Sequence, residues 1–273
     1  MTPDPILIAE TVVLLLGASA FAGVLAGLFG IGGGAVFVPV LYQTFGLFGV
    51  DPDVSMQLAI GSSLAIVVPT SIRSVMSHRA HGAVDFELLR SWIVIVPLGA
   101  VAGAAIAAAI SSEALRSIFA VIAFVIGVQL LIGKLPFTLG TDLPGRLGRW
   151  IAGIFIGMVA ALMGIGGGVL NNTFMTLYGR SIHQAVATSA GVGVLVSIPG
   201  LVAFVIGGWG HPDLPAWSLG YISLPVILIV APLATLFTPL GARLAHRLTK
   251  RQLQVGFGVY LLTVALRFFI SLI

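Results

Sequence analysis

A five-residue motif constrains this chain more than any other feature: Gly30-Ile31-Gly32-Gly33-Gly34 returns, letter for letter, as Gly164-Ile165-Gly166-Gly167-Gly168. Four glycines in five positions weaken a helix by about 1 kcal/mol each relative to alanine, so each motif marks a place where helix stops. The chain around them is 58% hydrophobic and 8% charged over 273 residues, with a mean hydropathy of +1.14. A soluble domain carries about 25% charged residues. Repeated apolar runs of about 20 residues, each able to cross ~30 Å of hydrocarbon as helix, leave no room for a soluble domain or for the alternating pattern of a membrane barrel. The composition therefore predicts an all-α integral membrane protein, a single membrane domain over 1–273.

The segments fall in two parallel series. In the first half, apolar residues 11–29 lead to the first glycine knot, and a shorter apolar stretch, 35–48, contains Pro39. Three spans follow, at 55–77, 88–110 and 117–133, separated by the basic stretch His78-Arg79-Ala80-His81 and the turn 111–116. A polar linker, 134–150, leads to 151–163, the second knot, 169–178, and spans at 183–206, 217–240 and 253–273. Five segments answer five, with repeats at 6–133 and 151–273. The block Met56 to Ser63 aligns with His183 to Ala190, which pairs Gln57 with Gln184. Farther on, Gly103 and Phe119 match Gly241 and Phe257. Self-similarity of this kind is the mark of an internal duplication.

Five is odd, so the second half should lie upside down relative to the first. The charges agree. In the first half Arg79 and Arg90 follow the third segment, and the next turn is balanced by Glu113 and Arg116. In the second half the corresponding loops hold His211 and Asp213, then Arg243, Arg247, Lys250 and Arg251. With basic loops inside, the linker bearing Lys134, Arg146 and Arg149 is cytoplasmic, and the N-terminus and the Asp51/Asp53 loop are outside. The start of the chain carries Asp4 and Glu10 and no base, which predicts a retained first segment rather than a cleaved signal peptide. The segments flanking the second knot, about 13 and 10 residues, give only ~20 and ~15 Å of helix, which predicts a glycine-tipped re-entrant or short hairpin. The fold expected is thus two inverted repeats, each a hairpin plus three transmembrane helices.

Irregular backbone at membrane depth survives where protein or a water-filled cavity satisfies it, so the knots should line a transport site. Two readings of them stand side by side. As close-packing seams they would bring helices together. As an anion cradle, their N–H groups would converge while the helices beginning at Ala35 and Val169 add positive dipole ends. A nucleotide-binding glycine fingerprint is excluded, because neither a strand nor an acidic partner accompanies the motif. Candidate substrate contacts are Gly30, Gly32, Gly33, Gly34, Gly164, Gly166, Gly167 and Gly168, with the hydroxyls and amides of Ser62, Ser63, Gln57, Asn171, Asn172, Gln184, Thr188 and Ser189. Two arginines lie within spans, Arg73 and Arg267; each is read either as an anion contact or as a side chain snorkelling to the interface.

All nine carboxylates and all five histidines fall in loops or near segment ends, so the usual intramembrane proton relay is missing. No nucleophile with a paired base is visible within the membrane, and the absence of cysteine removes thiolate chemistry. No enzyme activity, cofactor or metal is expected. The net charge of +4 lies in loops between spans and does not point to nucleic acid. The partners expected are a small anion and the lipid bilayer, with a homo-oligomer left open. An anion channel and a membrane scaffold are the rivals from other classes; the longest loop, about 17 residues, gives a scaffold little to bind with.

Together, Gly27-Leu28-Phe29-Gly30-Ile31-Gly32-Gly33-Gly34 with Pro39, the block Ala59-Ile60-Gly61-Ser62-Ser63, the stretch His78 to Asp85, and Met163 to Gly168 resemble the TauE/SafE family of sulfite exporters. Leu214-Pro215, Leu219-Gly220-Tyr221 and Gly241 to Ala245 fit the same pattern. The resemblance covers nearly the whole chain and implies a bacterial inner-membrane carrier exporting sulfite, thiosulfate, sulfoacetate or similar organosulfonates. Uptake of the same anions is its nearest alternative. One departure is Asn171-Asn172-Thr173, which stands where the first knot continues as Phe37-Val38-Pro39.

Overall fold

In the computed structural model, residues 5–29, 33–79, 84–133, 139–245 and 249–271 are described, and these form eleven helices. They are α1 (Pro5–Phe29), α2 (Gly34–Leu47), α3 (Pro52–Arg79), α4 (Phe86–Trp92), α5 (Ile95–Ala109), α6 (Ser112–Ile132), α7 (Arg146–Leu162), α8 (Gly168–Leu177), α9 (Ile182–Gly207), α10 (Leu224–Ala245) and α11 (Lys250–Ile270). No β-strand occurs among the described residues; Ser218 and Ser223 form an isolated antiparallel bridge. By length and composition α3, α6, α9 and α10 can each cross a membrane, and α4 with α5 makes a fifth span if the bent pair counts as one.

Local chemistry accounts for the helix starts. Ser111 accepts from the N–H of Ala114 and Ser181 from that of Gln184, while Thr249 and Gln252 form a reciprocal capping box. Four expected boundaries move. The span expected at 88–110 is broken, with α4 and α5 meeting at 53°. Pro97 has no N–H for the carbonyl of Ile93, and its ring crowds that oxygen, so the helix breaks at Ile93 and Val94. The span expected at 217–240 begins only at Leu224, because residues 208–223 run irregularly with Gly210, Trp217 and Gly220 at positive φ. At the linker, helix α7 starts at Arg146 rather than at Ile151, and Ser112 to Arg116 belong to α6 rather than to a turn.

α3 is the most buried of the candidate spans and crosses α9 at the centre. Around this crossing the partners exchange between the halves: α1 packs on α10 as α7 packs on α5, α2 on α3 as α8 on α9, and α3 on α10 as α9 on α5. Helices α6 and α11 pair with each other. The seams repeat in detail. A methyl on Gly23 would fall on the Ala234 carbonyl and one on Gly157 on the Val96 carbonyl; Gly241 stands likewise against Val24, and Gly103 against Met158. Small residues let these backbones touch, the usual basis of close packing between helices in lipid. Trp92 pins α4 to its surroundings, donating from Nε1 to the Arg149 carbonyl at 2.9 Å and lying against Phe174.

Candidate functional site

Each knot ends in a glycine that only a residue without a side chain occupies easily. Gly33 (φ 78°) caps α2 and Gly167 (φ 68°) caps α8, both in the left-handed region and neither with a side chain to bond the helix. The first N–H groups of a helix have no acceptor within it. The glycine caps bring no side chain to these donors, and in α2 the Val36 N–H turns back to the Gly33 carbonyl at 2.9 Å. Gly30 and Gly32 lie outside the described residues, as do His81, Lys134 and His246.

The two knots meet. The Cα of Gly34 rests on the backbone of the second knot, where an added methyl would strike the Gly164 carbonyl and come within 2.8 Å of the Ile165 Cα. Ser63 ties the contact, donating to the Gly164 carbonyl at 2.8 Å with the Gly34 carbonyl 3.5 Å away. On the other side Ser189 lies 3.2 Å from the Gly168 carbonyl and 2.7 Å from Asn172 Oδ1, and accepts from Asn171 Nδ2 at 2.7 Å. A hydroxyl has one proton, so Ser189 serves one of its two acceptors at a time. The Oδ1 of Asn171 is buried and has no hydrogen-bond partner.

Ser62 and Thr188 do a different task. Each accepts a main-chain N–H from a loop of the opposite half at 2.9 Å, Ser62 from Ser223 and Thr188 from Asp85. These bonds match Ser62 with Thr188 and Ser63 with Ser189, one residue out of step with the pairing expected from sequence. Gln57 and Gln184, expected as equivalents, have unlike partners: the first donates to the Ile110 carbonyl at 2.9 Å, the second sits 3.5 Å from Asp85 Oδ2. Sequence reasoning passed over Asp85 as a loop residue and placed Ser223 inside the span expected at 217–240. Only the tertiary approach of their loops to α9 and α3 brings them to the centre. The serines Ser71, Ser74 and Ser197 were also missed, although helical spacing from Ser63 and Ser189 was available as a signal.

The centre carries no fixed charge. Among the side chains described no Asp, Glu, Lys or Arg is buried; the buried titratable groups are Tyr221 and His78, the latter with Nε2 3.3 Å from the Gly27 carbonyl. Arg73 and Arg267 are both exposed. Gln129, half-buried on α6, donates to Thr173 on α8 at 2.8 Å. No group of three or more metal-ligating side chains occurs among the described residues. A cavity of about 360 Å³ lies between α3, α4 and α9, apolar except for Arg90, and none of its lining residues belongs to a knot.

Several apolar helices able to span a bilayer, packed around an uncharged polar centre, define a multi-pass helical membrane protein of the kind that moves small solutes. The sequence model of the family described as "Sulfite exporter TauE/SafE" matches residues 15–268, and the chain belongs to that family. A "Probable membrane transporter protein" of Haemophilus influenzae is 34% identical over 260 residues, covering 95% of this chain and 98% of its own. One of Methanocaldococcus jannaschii, with the same description, is 28% identical and covers 89% of both. A third, from Bacillus subtilis, is 28% identical over 72% of this chain and 79% of the relative. No solved structure gives a significant match.

Proposed function

We propose that this protein is a secondary carrier that exports small sulfur-containing anions, sulfite, thiosulfate or organosulfonates, across the bacterial inner membrane. The carrying observation is the pair of left-handed glycine caps, Gly33 and Gly167, whose knots touch and which bring no side chain to the N–H groups that open the two short helices. Backbone donors of this kind, with the positive ends of two helices, suit an oxyanion without requiring a buried base. Serine hydroxyls and the Asn171 amide supply further neutral donors around the same point.

In this reading the halves are inverted repeats, each with a glycine-tipped hairpin, and the exchange of helix partners between them supports it. Transport proceeds by alternating access, one half rocking against the other around the knots. The N-terminus is periplasmic, as the distribution of basic loops indicates. Energy for export comes from the membrane potential: each unit of negative charge leaving an inside-negative cell gains ~2.3 kcal/mol per 100 mV, so a dianion gains ~4.6 kcal/mol. No buried carboxylate is needed for coupling.

Proteoliposomes loaded with labelled sulfite, thiosulfate, sulfoacetate or taurine, under an imposed potential with and without a pH gradient, test this directly. Selective efflux driven by the potential alone is the expected result. Strict dependence on a pH gradient would overturn the uniport mechanism, and an absence of flux for every sulfur anion would overturn the substrate class.

A further inference from the structure

Hydroxyls inside a membrane helix ordinarily bond back to the carbonyl one turn earlier, as Thr44, Thr70, Thr235 and Thr238 do here. Three serines depart from that habit. Ser71, Ser74 and Ser197 are wholly buried, and their Oγ atoms have no hydrogen-bond partner. Burying a polar group unpaired is unfavourable, and each such case calls for an explanation.

Their positions supply one. The antiparallel helices α3 and α9 cross so that Gly200 faces Leu64 and Gly193 faces Ser71. A methyl on Gly193 would fall on the Ser71 hydroxyl and lie 3.4 Å from the Gly166 carbonyl, so Ser71 looks across the gap left by Gly193 toward the second knot. Ser197 is the counterpart of Ser71 under the same interchange that matches Ser63 with Ser189. Ser63, Ser71, Ser74 and His78 recur at helical spacing along one buried face of α3, a polar line from the knots to the basic loop. The corresponding face of α9 has Ser189 and Ser197 but continues as Gly200 and Phe204. There the Leu64 side chain fills the space over Gly200, and the Phe204 ring stands edge-on to Tyr221 at 6.4 Å.

From this asymmetry we infer that Ser71, Ser74 and Ser197 line the passage through which a small oxyanion reaches the knots. Its oxygens accept hydrogen bonds from these hydroxyls in transit. The Phe204 and Tyr221 rings close the end of the passage opposite His78. The inference rests on the carrier reading above but assigns residues that reading does not use.

The chain has no cysteine, so single substitutions report without a background. Ser71→Cys, Ser74→Cys and Ser197→Cys, in full-length protein in proteoliposomes, are treated with an anionic methanethiosulfonate carrying a sulfonate group. Ala120→Cys, buried on α6 among apolar neighbours, serves as control. The expected result is modification of Ser71→Cys and Ser74→Cys at least tenfold faster than the control, from the His78 side, and slowed by sulfite or thiosulfate. In parallel, Ser71→Ala raises the KM for the transported anion about tenfold without lowering abundance. Modification of all three cysteines at the control rate, in protein that still transports and loses transport with Gly167→Val, overturns the passage and leaves the carrier reading standing. Fast modification that no sulfur anion slows upholds the passage and overturns the proposed substrate class. A Ser71→Ala variant with unchanged KM overturns the contact at Ser71.

Discussion

The two knots share a backbone and differ in company. Past Gly33 the chain buries Phe37, Val38 and Pro39; past Gly167 it presents Asn171, Asn172 and Thr173, bonded to Ser189 and Gln129. Left-handed caps, contact between knots and a serine on each are common to both sides. Side chains able to read a ligand's shape stand on one side only. In the proposed reading the duplicated backbone would be the platform for negative charge, and the second knot would add the groups that choose among anions.

If the backbone is the shared element, damage to either knot should be equally severe. Gly33→Val and Gly167→Val are each expected to lower initial efflux rates, normalised to reconstituted protein, by at least about 100-fold, since a β-branched residue held at positive φ costs about 1–3 kcal/mol and closes the approach to the N–H groups. The steric setting is harsher at Gly33, where a Cβ would lie 2.8 Å from the Ala22 carbonyl, than at Gly167, whose nearest atoms are side-chain methyls at 3.3 Å. Full loss in one variant and near-normal transport in the other would break the comparison.

If selectivity belongs to the second knot, Asn171→Ala and Phe37→Ala should separate binding from stability. Removing the Asn171 amide takes away a donor bonded to Ser189 and should raise KM about 10- to 100-fold, or roughly 1.4–2.7 kcal/mol, while changing the ranking of sulfur anions. Phe37 is 1% exposed, so its truncation should cost about 3–5 kcal/mol of stability and leave KM unchanged in the protein that survives. Equal KM shifts in both variants would return recognition to the backbone alone. Competition among sulfite, thiosulfate and sulfoacetate, beside thermal unfolding in detergent, reads both effects.

Much of this was legible in the letters. The glycine knots, the two parallel series of segments and the match of Gly103 with Gly241 were visible, and the structure gives that last pair a common cause in the carbonyls of Met158 and Val24. The break between α4 and α5 could have been read from Pro97, but an apolar run of membrane length hides it. The one-residue slip between α3 and α9 had a different origin. Small residues interchange freely along these helices, and the identity of Gln57 with Gln184 outweighed a register that only the bonds at Ser62 and Thr188 define. Arg73 was placed by residue type, although the spacing of Ser63, Ser71, Ser74 and His78 marks the buried face of α3 and Arg73, exposed, lies off it. The loops carrying Asp85 and Ser223 reach the centre through contacts distant in sequence, which no local pattern encodes.

Those two loops give the subtlest test. Ser62→Ala and Thr188→Val each remove the acceptor of a main-chain N–H, and a buried donor left unpaired costs about 1–3 kcal/mol. Identical chemistry would predict identical losses, yet the loops are anchored differently. Asp85 caps α4 through Leu88 at 3.0 Å and approaches Gln184 at 3.5 Å. Ser223 sits in a stretch held at more points: it bridges Ser218, its carbonyl accepts from Ile227 at 3.2 Å, and the neighbouring Tyr221 N–H donates to the Phe204 carbonyl at 3.2 Å. A loop held at several points keeps its place when one bond goes, so the stranded N–H stays buried and the loss registers in full. With fewer anchors, the Asp85 loop can shift toward water and recover part of the energy. Ser62→Ala should therefore lower thermal stability somewhat more than Thr188→Val, while Thr188→Val should be the variant that speeds hydrogen exchange at 84–88. The reverse order would mean that the stretch 218–223 is the looser of the two, and that the half bearing the second knot is the part that moves.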